Sequence, residues 1–174
     1  MKIGIFYGST TGNTEFAADL IAEKFNEGII CKSLDVITTK DIELCDIIIF
    51  GISTWNIGEL EMTWEDFFPK LDEIDFTNKI VALFGMGDQS SYSDTFQDAL
   101  GILYDKLVNV GATIIGSWPI DGYTFSESLG VRDGKFVGLA LDQDNQPDLT
   151  DSRIESWVNQ LKRSLAESPI QAKS

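Results

Sequence analysis

Short apolar runs alternate along the chain with stretches whose apolar positions recur every three or four residues, and that alternation sets the expected elements. Ile3 to Phe6 reads as a strand, and Glu15 to Phe25 as a helix with one apolar face. Ile29 to Val36 reads as a second strand, and Thr38 to Asp41 as a turn into a short helical segment. Asp46 to Ile52 is a continuous apolar run, the pattern of a strand covered on both faces. Helical spacing returns at Trp64, Phe67, Phe68 and Leu71, and Lys79 to Phe84 is again a buried strand. A long helix is expected from about Ser93 to Val110, with Phe96, Leu100, Leu103, Tyr104 and Leu107 on one face and Gly111 ending it. Thr113 to Trp118 and Phe136 to Leu141 read as strand, separated by a polar, glycine-containing excursion from Pro119 to Lys135. The last helix spans about Ser152 to Leu165, capped by Thr150 or Asp151.

Strands alternating with helices predict an α/β chain: a parallel sheet with helices on both faces, formed by one domain over residues 1–166. Residues 167–174 have no periodicity and are expected to be a disordered tail. In the strand order 2-1-3-4-5 the carboxyl ends of the first, third and fourth strands are neighbours, and ligands of such sheets bind outside those ends. All three ends carry glycine-rich loops.

The first of these loops, Gly8-Ser9-Thr10-Thr11-Gly12-Asn13-Thr14, has no charge and leads into a helix. Backbone N–H groups and hydroxyls at a helix N-terminus favour an anion. The same residues are also ordinary helix caps and turn formers, so both roles stand at this point. The spacing is not that of a P-loop, and no lysine follows it; the Gly-x-Gly-x-x-Gly dinucleotide pattern is missing too. Neutral donors without a cation suit a single terminal phosphate.

Composition narrows the field. The 174 residues suffice for one domain, and a formal net charge of −15 disfavours nucleic acid and anionic membranes while favouring basic partner surfaces. The sequence contains no histidine, which removes Ser-His-Asp and Cys-His nucleophiles, and Cys31 and Cys45 alone make a poor zinc site. Gly51-Ile52-Ser53-Thr54-Trp55 approaches a nucleophile elbow but has Trp55 in place of the second glycine. No run is long enough to span a membrane, and Met1-Lys2-Ile3 leads straight into the first strand, so a cytoplasmic protein is expected. The second loop carries Trp55 and the third carries Tyr92. A flat apolar cofactor between two rings, its phosphate in the first loop, uses all three, although a loop aromatic covering a hydrophobic edge is common.

Taken together, Gly8 to Thr14, Thr54-Trp55-Asn56-Ile57-Gly58-Glu59, Gly85-Met86-Gly87-Asp88-Gln89 with Tyr92, and Gly134 to Asp142 resemble the flavodoxin family, long-chain class, and most closely cyanobacterial and algal members. The similarity runs from about Lys2 to Arg163. It implies a flavodoxin-like three-layer sandwich whose fifth strand is split by the 119–135 segment. It also implies a low-potential one-electron carrier that binds FMN non-covalently, cycles between semiquinone and hydroquinone, and can replace ferredoxin, without substrate turnover of its own. The rule placing ligands at these strand ends was framed with flavodoxin among its examples, so it is a premise here.

Carried across, Ser9, Thr10, Thr11, Gly12, Asn13 and Thr14 would hold the phosphate, and Thr54 belongs to the second binding loop. Trp55 and Tyr92 would flank the isoalloxazine. The Asn56-Ile57 peptide would sit near flavin N5, with Gly58 helping it turn over; Gly87 and Asp88 would meet the pyrimidine end, and Asp144 the ribityl chain. Glu59, Glu61, Glu65, Asp66, Asp94, Asp98, Asp121 and Asp142 form a candidate acidic face, which the resemblance assigns to docking on ferredoxin-NADP reductase and photosystem I by a monomer. Ser53 departs from the family pattern, standing where many members have proline, and this lowers the rigidity expected of that turn. Two other classes compete. A flavin-dependent quinone reductase needs a second substrate pocket, which is not legible here, and a receiver domain needs acidic residues where the chain has Tyr7-Gly8 and Gly51-Ile52.

Overall fold

In the computed structural model, which describes residues 1–26 and 28–168, the strands and α-helices run in the order β1 (Ile3–Tyr7), α1 (Asn13–Phe25), β2 (Ile30–Ser33), α2 (Thr39–Glu43), β3 (Ile47–Trp55), β4 (Glu59–Leu60), α3 (Met62–Phe67), β5 (Ile80–Met86), α4 (Asp98–Asn109), β6 (Thr113–Ile115), β7 (Trp118–Pro119), β8 (Val131–Arg132), β9 (Lys135–Phe136), β10 (Leu139–Leu141) and α5 (Thr150–Ala166). β1 pairs in parallel with β2 on one side and β3 on the other, and β3 pairs with β5. Beyond β5 the edge position is shared: β6 lies beside Ile80–Ala82 and β10 beside Phe84–Met86, both parallel. Counting the two halves as one strand, the order is the expected 2-1-3-4-5 with a split fifth strand.

The continuous apolar run of β3 follows from burial on both faces. Ile48, Phe50 and Ile52 pack with Trp64, Phe67, Leu100, Leu103 and Leu107, while Ile49 packs with Ala17, Ala18, Ile21, Ile154 and Trp157. Each large side chain buried in these two cores contributes roughly 1.5–3 kcal/mol. Among the described residues no helix is long and apolar enough to cross a membrane.

The strand expected over Phe136 to Leu141 divides into β9 and β10, the one expected over Asp46 to Ile52 runs on to Trp55, and four other boundaries move, each for a local reason. β2 stops at Ser33 and becomes a tight turn over Leu34–Val36, which buries Leu34 and leaves Val36 exposed. The long helix begins at Asp98 and not at Ser93, because Gln97 sits in the left-handed region at φ 61° and donates from its amide to the carbonyls of Gly85 and Leu141. Phe96 consequently leaves the helical face expected of it and packs on Tyr123, Phe125 and Phe136. The strand from Thr113 breaks after Ile115, where Gly116 takes φ 90° and its carbonyl accepts the Trp157 indole N–H at 2.8 Å. Neither Thr150 nor Asp151 caps α5; Thr150 is its first residue and donates its hydroxyl to Gln143 Oε1 at 2.7 Å. Most of the expected tail, residues 169–174, lies outside the described residues.

The 119–135 excursion is built into the domain. β7, β9 and β8 form a small antiparallel sheet of their own. Tyr123 accepts the Trp118 indole N–H and donates to the Ala140 carbonyl, and the Arg153 guanidinium of α5 lies 4.1 Å over its ring. The Thr124 N–H donates to Gln89 Oε1 at 2.6 Å, which ties the excursion to the loop after β5.

Where the excursion crosses α4, a Cβ on Gly101 would lie 2.0 Å from the Leu129 carbonyl oxygen. In an open helix Gly→Ala gains about 1 kcal/mol. Here the obstacle is backbone, which no rotamer change relieves, so Gly101→Ala is expected to destabilise the protein by about 1–3 kcal/mol in urea unfolding. A gain in stability would show that the excursion yields freely at this crossing.

Candidate cofactor site

At the carboxyl ends of β1, β3 and β5 lies a cavity of about 480 Å³, lined by Thr11, Asn13, Thr14, Ser53, Thr54, Trp55, Asn56, Met86, Gly87, Asp88, Tyr92, Gln143 and Asp144. Its size is within the range of small-molecule and cofactor sites, about 300–1,000 Å³. No lysine or arginine is among the lining residues, and the only formal charges are the two carboxylates.

The first loop is fastened from below. Glu61 is fully buried, accepts the Thr10 hydroxyl at 2.6 Å and caps α3 by accepting the Trp64 N–H. Trp64 in turn donates its indole N–H to the Gly51 carbonyl at 2.7 Å, the same carbonyl that accepts from the Gly8 N–H. A Cβ at Gly8 would fall 2.5 Å from the Glu61 carboxylate, so this close approach requires glycine. The capping role open to the loop is not taken: no side chain among the described residues caps α1, and Ser9 Oγ accepts the Gly12 N–H at 3.1 Å instead. The N-terminal turn of a 13-residue helix is thus presented beside the cavity with Asn13 and Thr14 on its wall.

The second loop is a hairpin tip. Thr54 pairs with Leu60 and Trp55 with Glu59, leaving Asn56, Ile57 and Gly58 to turn. Asn56 and Gly58 both have positive φ, 47° and 79°, and the Asn56 amide donates to Glu59 at 2.8 Å. Ile57 at the tip is 81% exposed. Trp55 donates its indole N–H to Ser53 Oγ at 3.0 Å, and Thr54 Oγ1 accepts the Ala99 N–H in the first turn of α4. Asp98 lies beneath the tip, its Oδ1 accepting the Leu129 N–H at 2.8 Å. Burial pushes its carboxyl above the ordinary range, against the lowering effect of the Leu129 bond.

The third loop is linked to a fourth, residues 142–146. Gln89 is buried and its amide bonds Asp142, which also accepts the Gln89 N–H. Asn145 donates to both Asp142 and Asp88. Partial burial raises the Asp88 carboxyl, but N–H donors from Ser91, Asn145 and Ser90 outweigh that and hold it below the usual range. Asp144 is pushed up by burial and by the neighbouring Asp88 and Asp142.

Of the residues named from the sequence, the cavity brings together Thr11, Asn13, Thr14, Thr54, Trp55, Asn56, Gly87, Asp88, Tyr92 and Asp144. Ser9, Thr10, Gly12, Ile57 and Gly58 are not on its wall; Ser9 and Thr10 brace the loop, and Ile57 and Gly58 form the hairpin tip. Ser53, Met86 and Gln143 line it unannounced. The strand alternation that carries Trp55 to this face could have flagged Ser53, two residues earlier. The acidic face also loses members: Glu61, Asp98 and Asp142 are buried at 0%, 7% and 1% exposure and serve internal bonds.

Comparison with known proteins agrees with this architecture. The flavodoxin family model matches residues 5–157. A flavodoxin of Synechocystis is 49% identical over 163 residues, covering 92% of this chain and 96% of its own, and one of Klebsiella pneumoniae is 48% identical with 94% of each covered. The crystal structure of Fusobacterium nucleatum flavodoxin bound to flavin mononucleotide superposes with a TM-score of 0.87 at 35% identity, over 94% of this chain and 98% of that one. With the family model spanning most of the chain and close relatives matching nearly end to end, the protein belongs to the flavodoxin family.

Proposed function

We propose that this chain is a cytoplasmic, low-potential electron carrier that holds FMN non-covalently in the cavity between Trp55 and Tyr92, has no substrate turnover of its own, and can take the place of ferredoxin. The observation that carries this reading is the uncapped N-terminus of α1 opening beside a cavity that has an aromatic residue from each of two other loops on its wall. The donor set suits the group: hydroxyl, amide and backbone N–H donors for a phosphate monoester, and two rings for a flat heteroaromatic system. Thr11, Asn13 and Thr14 would hold the phosphate, Trp55 and Tyr92 the ring, and Asn56 the edge nearest the hairpin tip. Bound there, FMN supplies two successive one-electron steps, and the protein is proposed to work between its one-electron-reduced and fully reduced forms.

The chain's own residues set the direction of that bias. Additional negative charge in the cavity meets Asp88 and Asp144 and no cation, so the more anionic state of any bound group is disfavoured. The positive-φ turn at Asn56 and Gly58 leaves the tip peptides held by few bonds and able to reorient toward a protonated ring nitrogen. The exposed carboxylates Glu59, Glu65, Asp66, Asp94 and Asp121 surround or neighbour these loops and suit basic redox partners. Ferredoxin-NADP reductase and photosystem I are the partners proposed, met by a monomer.

The purified protein is expected to be yellow, and stepwise anaerobic reduction to pass through a blue one-electron stage. A colourless protein that takes up no FMN would overturn the proposal. Rapid bleaching by NADPH alone, with no reductase present, would favour a flavin-dependent quinone reductase instead. Trp55→Ala is expected to weaken FMN binding by roughly tenfold or more, the scale of a lost aromatic contact, measured by fluorescence titration of the apoprotein.

The raised carboxyl of Asp144 gives a pH dependence with a definite sign. A carboxyl whose folded pKa is above its free value favours the protonated folded state. Its charged form therefore costs stability as pH rises from about 3.8 through the raised value. Asp144→Asn should remove that cost at neutral pH, and should tighten FMN binding there by lowering the negative charge that the cavity wall turns toward an anionic ligand. Urea unfolding and FMN titration across pH 4–7 should show the variant and parent converging at the acid end; a constant offset across the range would assign the effect to something other than charge.

A further inference from the structure

Ser53 and Trp55 stand two residues apart at the end of β3, so their side chains leave the same face of the strand, and both line the cavity. The Trp55 indole N–H, which can only donate, gives its hydrogen to Ser53 Oγ at 3.0 Å. Among the described residues this is the only side-chain hydrogen bond Trp55 makes, and no other aromatic ring packs on it. Trp55 and Trp118 are half-buried and Trp64 and Trp157 fully buried; the indole N–H groups of Trp64, Trp118 and Trp157 are on Gly51, Tyr123 and Gly116. Trp55 is therefore, among the described residues, the tryptophan whose indole N–H is held by a small side chain, the others being held by backbone carbonyls or by the Tyr123 hydroxyl. Ser53 is itself fixed, since its backbone pairs with Met86 of β5 in the parallel ladder.

We infer that Ser53 is a positioning residue that sets the plane of the Trp55 ring before a ligand arrives, and so contributes to affinity for a flat heteroaromatic ring without touching its phosphate. The inference rests on the proposed FMN reading for its ligand, though the Ser53–Trp55 contact itself does not. Preordering a ring lowers the entropy lost on binding. A proline at position 53 would fix the backbone but offer no hydroxyl, so this chain holds by a side-chain bond what an imino acid would hold by its ring. The departure noted from the sequence is thereby given a function.

The test uses the full-length apoprotein with Ser53→Ala and Ser53→Thr. One of four indole N–H resonances, assigned to Trp55 by its loss in Trp55→Phe, should shift and exchange faster in Ser53→Ala and return in Ser53→Thr. Affinity for FMN and for riboflavin, which lacks the phosphate, should fall by the same factor in Ser53→Ala, roughly three- to tenfold as for the cost of ordering one side chain on binding, and recover in Ser53→Thr. An unmoved Trp55 resonance in Ser53→Ala would overturn the inference, as would a loss of affinity for FMN but not riboflavin, which would place the hydroxyl at the phosphate end. Should the protein bind neither flavin, the ligand reading fails while the resonance still decides whether Ser53 orders the ring.

Discussion

A carboxylate removed from water must have its oxygens satisfied or it destabilises the fold by several kcal/mol. At Glu61 that requirement organises the whole end of the sheet. One oxygen takes the Thr10 hydroxyl and the other the Trp64 N–H in the first turn of α3, so the loop after β1 and the helix after β4 cannot move apart without stranding a buried carboxyl group. Gly8 makes room for the carboxylate, and Gly51 receives both the Gly8 N–H and the Trp64 indole. The phosphate-type loop is thus seated on Trp64 and Glu61, and its outward donors are left for a ligand because its inward bonds are already made.

Much of this was legible in the sequence. The unbroken apolar run at Ile47 to Ile52 specified a central strand, and the spacing of Ile154, Trp157, Val158 and Leu161 specified a helix on one face of the sheet. The failures have a common physical origin, in side chains that bond the backbone of distant segments. Helical periodicity extended to Ser93 because Phe96 lies in register with Leu100 and Leu103. Nothing local reveals that Gln97 will instead clamp the ends of β5 and β10, which are brought together only by the fold. Glu61 reads as a surface acid for the same reason: its partner Thr10 is 51 residues away. The site residues on glycine-rich loops were visible, whereas Met86 and Gln143 depend on how two strand ends converge.

Gln97 retains one cost of that arrangement, for its Oε1 is buried without a partner among the described residues. Its amide hydrogens face two carbonyls, which excludes the reversed amide orientation. The excursion then closes over the same corner through Gln89, Tyr123 and Arg153. What reads in sequence as an insertion into the fifth strand is, in the molecule, a brace on the loop that carries Asp88 and Tyr92.

The hairpin tip at Asn56, Ile57 and Gly58 differs from the other loops in how little it is tied down. The first loop is joined to Glu61 and Gly51, and the third to the fourth through Gln89 and Asn145, while among the described residues the tip's one side-chain bond runs from Asn56 to Glu59 at its own base. On the proposed reading, anchoring and tuning are therefore carried by mechanically separate parts. Exchanges at the exposed Ile57 can be tried by mutation and selection with little penalty to folding, so if the tip tunes the bound group as proposed, descendants of this chain can diverge in redox character while keeping the same grip on it.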